Sequence, residues 1–503
     1  MTASSFIQKG VDAATQGNLT EAEFCFRQAF SLSEKESQLE RNSLANLIKA
    51  LAEQKKVIQI VDLLEITEDS LIRKLPPMPL LSAAKAALNQ QNMTLGLKLY
   101  NILDSQYPNQ KEIVIGLSST LIRAGQLDKA EKLLDSFAGT SKVDAEIVSN
   151  IAIVASEQGK IKKAEKNYRH AQQLRPDIFA TNYNLGKFLQ MHGSLDESLE
   201  YYNYCLTIAP QAFEANIEKA DILSKQKREI EAITIYESLI TRINIKTHQK
   251  SRAIRQYIYA MIDKQSQQFT EERLSTLLKS IPLDNETLSL VYDLSRDHQK
   301  ACGGVELYQP NNLIHELQYI ASDDNILGLL SDEIKKNSSL IHNRANKPTR
   351  GGQQTHELLL DPSPKIKQIC DELESILINY GNQLPKPIRL DIANDYILSG
   401  WAVCLQSGGF QLRHTHPEAI ISAVLYIKIP EEITDLASDS GSLYFSKRRA
   451  DQQIDTIKIS PIPGKLVMFP SYLPHETTVF AAKSERICIA CNLIKVSHTV
   501  HTQ

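Results

Sequence analysis

In the first half of the chain, one ten-residue phrase recurs at a fixed interval. The four copies are GQLDKAEKLL, GKIKKAEKNY, GSLDESLEYY and KREIEAITIY, and they begin at Gly125, Gly159, Gly193 and Lys227. A constant period of about 34 residues is typical of supersecondary units that cannot bury their apolar faces alone and therefore stack on one another. The period predicts an array of helical hairpins that share one continuous core.

Other residues keep the same register. Pro176 and Pro210 lie one period apart, and each would end the second helix of a unit because proline cannot continue the helical hydrogen bonding. Small residues fall where the two helices of a unit must approach closely, at Ala130, Ala164, Ser198 and Ala232. Together with the YNLG that starts at Tyr183, this pattern resembles the tetratricopeptide repeat family.

The resemblance implies an all-α tetratricopeptide superhelix, right-handed and built of helical hairpins, which we expect over residues 3–245. GNLTEAEFCFRQAF from Gly17 and QNMTLGLKLY from Gln91 fit earlier copies, whereas the stretch between them is degenerate. Residues 246–302 are expected to form a helical connector without a clear period.

The concave face of such an array has two interpretations. The resemblance implies a docking groove for a peptide, a protein tail or a partner subunit. The alternative is a dimerisation or spacer module. A dimerisation module would make the protein a homo-oligomer. The chemistry of the groove residues does not indicate which ligand would bind there.

Length and charge set further bounds. The chain has 503 residues, more than one core usually organises, which predicts two to four domains. Its net charge is −3, so no global field would attract nucleic acid or an anionic membrane surface. The sequence shows neither a signal-peptide pattern nor a long apolar span, and its seven cysteines are thinly spread. We expect a cytoplasmic protein.

The sequence pattern changes near residue 300. Gly303, Gly304 and Pro310 mark a break, and we expect a second domain over residues 307–498. Helical stretches at 313–336 and 364–381 would flank a polar loop, HNRANKPTRGGQQTHE.

Beyond this loop, short apolar runs dominate. The predicted strands are DYILSGWAVCLQ, AIISAVLYIKIP, GSLYFSK, DTIKISP, GKLVMFP and ERICIACNLIKV. They lack helices of crossover length between them, which favours an antiparallel sandwich or jelly roll over a βαβ sheet. Of these we expect the jelly roll, a double-stranded β-helix with flanking helices. Cys488 and Cys491 form a CxxC inside the last strand, but without a second pair they indicate strand packing rather than a zinc site.

Three histidines follow a pattern that suits a metal. RHTHP supplies His414 and His416, and PGKLVMFPSYLPHE supplies His475. Two histidines at positions i and i+2 of a strand point to the same face, so both could face one ion, and imidazole suits iron, zinc, copper or nickel. Arg486 lies eleven residues after His475 in a predicted strand. A guanidinium buried there needs a partner, and its planar fork suits a carboxylate.

The block from Trp401 to Asn492 resembles a 2-oxoglutarate/Fe(II) oxygenase family that is often fused to tetratricopeptide repeats. The matching phrases are RHTHPEAIISAVLYIKIP, SGSLYF, GKLVMFPSYLPHE and ERICIACN, with TRGGQQT upstream. The resemblance implies Fe(II), 2-oxoglutarate as cosubstrate, and O2. It further implies metal ligation by His414 and His475 and binding of the distal carboxylate of 2-oxoglutarate by Arg486. Hydroxylation is the default outcome.

The sequence departs from the wider superfamily at one ligand. His416 occupies a position where an Asp or Glu is usual, so either three histidines hold the metal, or His414 and His475 hold it with water in the remaining positions. Glu418 is a weaker candidate ligand, because it lies one strand step further along.

The roles of several neighbouring residues stay open. Ser422, Tyr426 and Cys488 could line the cosubstrate pocket or could pack within strands, and Trp401 is expected in the core. A cupin-like three-histidine enzyme without 2-oxoglutarate, or a scaffold that has lost catalysis, are the rival functions. The expected substrate is a protein or peptide presented by the repeats, and the alternative is a small metabolite.

Overall fold

The fold is described by a computed structural model. It describes residues 1–90, 92–140, 144–264, 269–295, 297–302, 309–319, 325–337, 339–342, 347–360, 362–391, 394–433, 439–446 and 456–496. The chain separates into two compact units, residues 1–155 and 156–503. The predicted break at Gly303 and Gly304, and both predicted bounds of the second domain, lie outside the described residues.

Helices fill the first three hundred residues. Among the described residues they are α1 (Ala3–Thr15), α2 (Leu19–Leu32), α3 (Gln38–Glu53), α4 (Val57–Glu65), α5 (Asp69–Ile72), α6 (Pro77–Asn89), α7 (Met93–Gln106), α8 (Lys111–Arg123), α9 (Leu127–Thr140), α10 (Ala145–Glu157), α11 (Ile161–Leu174), α12 (Phe179–Met191), α13 (Leu195–Ile208), α14 (Phe213–Lys225), α15 (Glu229–Ile240), α16 (Thr247–Asp263), α17 (Glu271–Lys279), α18 (Asn285–Leu294) and α19 (Gln299–Cys302). None of the described helices is both long and apolar enough to cross a bilayer.

The helix starts confirm the period read from the sequence. Helices α8, α10, α12 and α14 each begin one full period after the one before, and so do α9, α11, α13 and α15. The phase extends beyond the clear copies: α6 and α7 begin one period before α8 and α9, and α16 begins one period after α14. The segment that the sequence indicated to be a connector without a period therefore starts with a helix in the repeat phase.

Three of the four repeat copies begin with glycine because the turn between the two helices of a hairpin needs a left-handed backbone at that position. Gly125, Gly159 and Gly193 have φ of +71°, +70° and +86°, a left-handed conformation that glycine adopts without steric cost. Lys227 takes the same place in the last copy at φ +62°. The small residues predicted at the helix contacts are fully buried, and these are Ala130, Ala164, Ser198 and Ala232.

Antiparallel strands follow, as predicted. They are β1 (His315–Gln318), β2 (Ile341–His342), β3 (Thr349–Gln354), β4 (Tyr396–Gln411), β5 (Ile421–Lys428), β6 (Leu443–Ser446), β7 (Thr456–Ile459), β8 (Lys465–Pro470), β9 (His475–Thr477) and β10 (Arg486–Lys495). One sheet has the order β1-β8-β5-β10-β4-β3-β2 and the other β7-β6-β9. Phe445 of the small sheet packs edge-on against Phe469 of the large sheet, with ring centroids 4.8 Å apart. Helices α20 (Ile326–Lys336) and α21 (Pro364–Gln383) flank the sheets.

Two local predictions were wrong. The stretch 313–336, predicted as helix, begins with strand β1, where His315 pairs with Met468 of β8, and helix starts only at Ile326. The polar loop contains strand β3, whose Thr349 pairs with Gln411 of β4. Both segments are poor in apolar residues, so their own composition hides a strand that only pairing with a distant partner forms.

Candidate functional site

The three histidines meet at one point. One ring nitrogen from each of His414, His416 and His475 lies within 4.8 Å of the others. His475 begins β9, whereas His414 and His416 lie in the loop that follows β4, not within a regular strand as the spacing predicted. His414 and His475 bridge the gap by donating their backbone N–H groups to each other's carbonyl oxygens, both at 3.0 Å. We call these three residues the histidine cluster.

Hydrogen bonds fix the orientation of two of the rings. His414 Nδ1 donates to the carbonyl oxygen of Leu412 at 2.7 Å, and His475 Nδ1 donates to that of Leu473 at 3.0 Å. Because a carbonyl oxygen only accepts, each Nδ1 must carry the hydrogen, which leaves the Nε2 lone pair free. A ring held in this tautomer by a carbonyl is the usual support of a metal-binding histidine.

The surroundings keep the cluster uncharged. Burial lowers the pKa of His414 to about 4 and that of His416 to about 3. Burial, together with the two neighbouring imidazoles, also brings the pKa of His475 well below its usual value. Phe469 covers His475, with ring centroids 4.8 Å apart. Neutral imidazoles are the form that binds a metal, so the cluster is ready to do so at neutral pH.

Arg486 is the largest fully buried side chain of the described residues, with 1% of its surface exposed. Its Nε and Nη1 atoms have no hydrogen-bond partner there, and neither has the hydroxyl of Tyr426. The guanidinium carbon lies 4.9 Å from the centre of the Tyr426 ring. A buried charge whose donors are left unpaired is costly, so the two unpaired nitrogens and the neighbouring hydroxyl indicate a place for an anion.

The glycine at 441 leaves room for this arginine. A Cβ at Gly441 would lie 3.2 Å from Arg486 Cδ, and the backbone there has φ +65°. Sequence reasoning missed this residue, although the SGSLYF phrase contains it.

Strand pairing places Arg486 on a shared face. Arg486 begins β10 opposite Leu405 of β4, and Cys488 pairs with Tyr426 of β5. Alternate residues of a strand share a face, so Arg486 and Cys488 lie on the same side of the large sheet as Asn492. Asn492 accepts a hydrogen bond from Ser422 at 2.8 Å. The sequence left the roles of Ser422, Tyr426 and Cys488 undecided. In the structure Tyr426 lies against the arginine, Ser422 is hydrogen-bonded to Asn492, and Cys488 is a buried thiol.

A cavity of about 600 Å³ opens beside the cluster. It is lined by His414 and His416, by Asn492 and Glu418, and by Trp401. Trp401, which was expected in the core, packs against it while staying partly exposed, and its ring lies 5.5 Å from that of His416. Residues two apart on a strand share a face, so Trp401 and Ser399 lie on the same face of β4, and both line the cavity.

Two known families match segments of the chain, one among the helices and one among the strands. A family described as "Putative 2OG-Fe(II) oxygenase" matches residues 399–492, and a tetratricopeptide repeat family matches residues 145–178. No curated protein matches the chain.

Several solved structures are similar at low identity. A tetratricopeptide repeat protein from Parabacteroides merdae is 16% identical with a TM-score of 0.42, covering 52% of this chain and 98% of that one. A prolyl-4-hydroxylase from Pseudomonas putida is 18% identical with a TM-score of 0.29, covering 42% of this chain and 100% of that one. Because each TM-score lies below 0.5, these likenesses support no statement about what the chain binds.

Proposed function

We propose that this chain, which joins tetratricopeptide repeats to a domain of the 2OG-Fe(II) oxygenase family, is an Fe(II)- and 2-oxoglutarate-dependent oxygenase of the hydroxylase type. One observation carries the proposal. Three neutral imidazoles gather their nitrogens within 4.8 Å, and the same domain buries a guanidinium whose Nε and Nη1 have no hydrogen-bond partner in the part of the chain that the structure describes. A metal and a dianionic cosubstrate would satisfy both features together.

The histidine cluster would hold the iron. His414 and His475 would bind through Nε2, since Nδ1 of each ring is engaged by a carbonyl, and His416 would supply the third nitrogen. Imidazole nitrogens suit Fe(II), and three protein ligands leave positions open for other donors. When bound, the iron would let O2 oxidise 2-oxoglutarate to succinate and CO2, with one oxygen atom of O2 entering succinate and the other becoming available to hydroxylate the substrate.

Arg486 would bind the distal carboxylate of 2-oxoglutarate. Its fork of N–H donors matches a carboxylate in bidentate contact, and burial makes such a charge-assisted pair strong. Tyr426 would donate its hydroxyl to the same carboxylate, because that hydroxyl is buried beside the guanidinium and has no partner among the described residues. The two side chains thereby set the direction in which the cosubstrate enters.

The cavity would receive the substrate. His414 and His416 form part of its wall, and Trp401 offers a partly exposed aromatic surface close to His416. We propose a protein or peptide side chain as substrate, because repeats of this type generally mediate protein binding. The repeats would then hold the partner while one side chain reaches the cavity.

The decisive test is succinate formation from 2-oxoglutarate. The purified chain would be supplied with Fe(II), O2 and 2-oxoglutarate, with and without a panel of peptides. Uncoupled turnover in the absence of peptide would establish the reaction class. A protein that binds iron but shows no dependence on 2-oxoglutarate would instead be a three-histidine enzyme of the cupin type. A protein that binds neither would be a scaffold.

A further inference from the structure

We propose that helix α18 (Asn285–Leu294) positions the metal-binding loop, and that Asp293 is a positioning residue for the histidine cluster, acting through Arg413. The loop in question, residues 412–419, carries His414 and His416 and is called the histidine loop below. The inference rests on the metal-binding role proposed for the cluster.

Helix α18 belongs to two cores at once. Leu288, Val291 and Tyr292 are part of the buried core of the sheet domain. Leu290 and Leu294, on another side of the helix, are part of the core of the preceding helices. Every residue from Thr287 to Leu294 is buried. A helix packed on both sides has little freedom to move, which makes it a rigid support.

The C-terminal end of α18 holds one side of the histidine loop. Arg413 Nη2 donates to Asp293 Oδ1 at 2.5 Å and to the carbonyl oxygen of Ser446 at 3.0 Å. The Asp293 side chain is 1% exposed and that of Arg413 is 31% exposed. Tyr259 of α16 donates to the other carboxylate oxygen at 3.0 Å. Asp293 is thus fixed by the repeat helices and in turn fixes the residue that precedes His414.

The N-terminal end of α18 holds the other side. Asn285 Nδ2 donates to the carbonyl oxygen of Pro417 at 3.3 Å and also to that of Ala419. The two ends of one helix therefore hold the histidine loop on either side of its two histidines. The loop needs such support, because residues 412–419 form no regular strand and His414 makes a single bridge to His475.

Support of this kind is expected to act on metal affinity. A ligand held in place before binding loses less freedom when the metal arrives, and groups behind the ligands typically contribute roughly 10–100-fold to affinity. Because Asp293 does not belong to the cluster, its effect must pass through Arg413 and the backbone of the loop.

The test is a titration of the full chain with Co(II), read by its visible d–d absorption. Asp293→Asn keeps the size of the side chain but removes its charge, and it should raise the Co(II) Kd about 10–100-fold and alter the band shape. Arg413→Gln should do the same without touching the buried position. The double variant should bind no more weakly than the weaker single variant, because both changes break the same Asp293–Arg413 contact.

Glu218→Gln is the matched control. Glu218 on α14 is an equally buried carboxylate, with a side chain 4% exposed, and it pairs with Lys187 and Arg252 within the repeats. Its replacement should lower the unfolding temperature to an extent similar to Asp293→Asn but leave the Co(II) Kd and spectrum unchanged.

Two results would overturn the inference in different ways. If Asp293→Asn and Arg413→Gln lower only the unfolding temperature and bind Co(II) like the parent, α18 is merely structural and the metal site stands. If the parent chain itself binds no Co(II) while folded, the cluster is not a metal site and the proposed function fails with it.

Discussion

The repeats and the sheet domain differ in how far apart their contacts lie along the chain. In the repeats, Glu218 bonds Lys187 and Arg252, which lie about one repeat away on either side. In the sheet domain, His315 pairs with Met468, more than a hundred residues later. The repeats are therefore stabilised unit by unit, whereas the sheets form only when distant segments meet.

This difference predicts two kinds of response to substitution. Energies in a repeat array add approximately unit by unit, so one change should have a graded effect on stability and leave the site intact. The site draws its groups from the loop after β4, from β9 and from β10, so one change there should remove a function while the fold persists. The substitutions below test this contrast.

The largest effect is expected at His475. His475→Ala should abolish iron binding and 2-oxoglutarate turnover together, because it removes one of the two imidazoles that a carbonyl oxygen holds in the metal-binding tautomer. His414→Ala should match it. Iron content after gel filtration and succinate formation are the measurements. A folded His475→Ala protein with stoichiometric iron and normal turnover would contradict the proposed site.

A smaller effect, confined to the cosubstrate, is expected at Arg486. Arg486→Ala should keep its iron but raise the KM for 2-oxoglutarate roughly ten- to a thousand-fold, because losing one partner of a buried charged pair costs about 2–5 kcal/mol. Arg486→Lys should fall between, since it keeps the charge without the fork. Circular dichroism controls for the fold. An unchanged KM in a folded protein would favour the cupin-like enzyme.

The third ligand should be more tolerant. His416→Asp should keep measurable activity, because a carboxylate restores the commoner ligand set, whereas His416→Ala should weaken iron binding by more than about tenfold. Parallel iron titrations of the two variants measure this. Parent-like binding and turnover in both would show that only His414 and His475 are ligands.

The smallest effects are expected in the repeats. Lys227 holds a left-handed backbone at φ +62°, so Lys227→Gly should stabilise the chain by up to about 1 kcal/mol. Gly193→Ala, at φ +86° in the equivalent turn, should destabilise it by about 1–2 kcal/mol. Urea unfolding at unchanged slope measures both, and succinate formation should not change. A loss of turnover in either variant would break the contrast between the two regions.

Sequence reasoning succeeded where the signal is local or repeated. The regular spacing of the helix starts, the buried small residues at Ala130 and Ala164, and the later strands were all confirmed. It failed for β1 and β3, because their polar composition does not indicate a strand and they become strands only by pairing with β8 and β4. Trp401 packs against the core and also lines the cavity, which the sequence did not indicate, because a lone aromatic in an apolar strand gives no sign of which face opens on a cavity.

By itself, then, the sequence determined the order of the architecture and pointed to three histidines as candidate metal ligands, because periodicity and side-chain chemistry are local properties of the chain. Only the tertiary structure decided that three histidines from two segments share one point and that α18 lies against the histidine loop. It also decided that Arg486 is buried beside Tyr426 with two of its nitrogens unpaired among the described residues. Those facts depend on which distant strands and helices pack together, and burial and pairing arise from that packing rather than from any one segment.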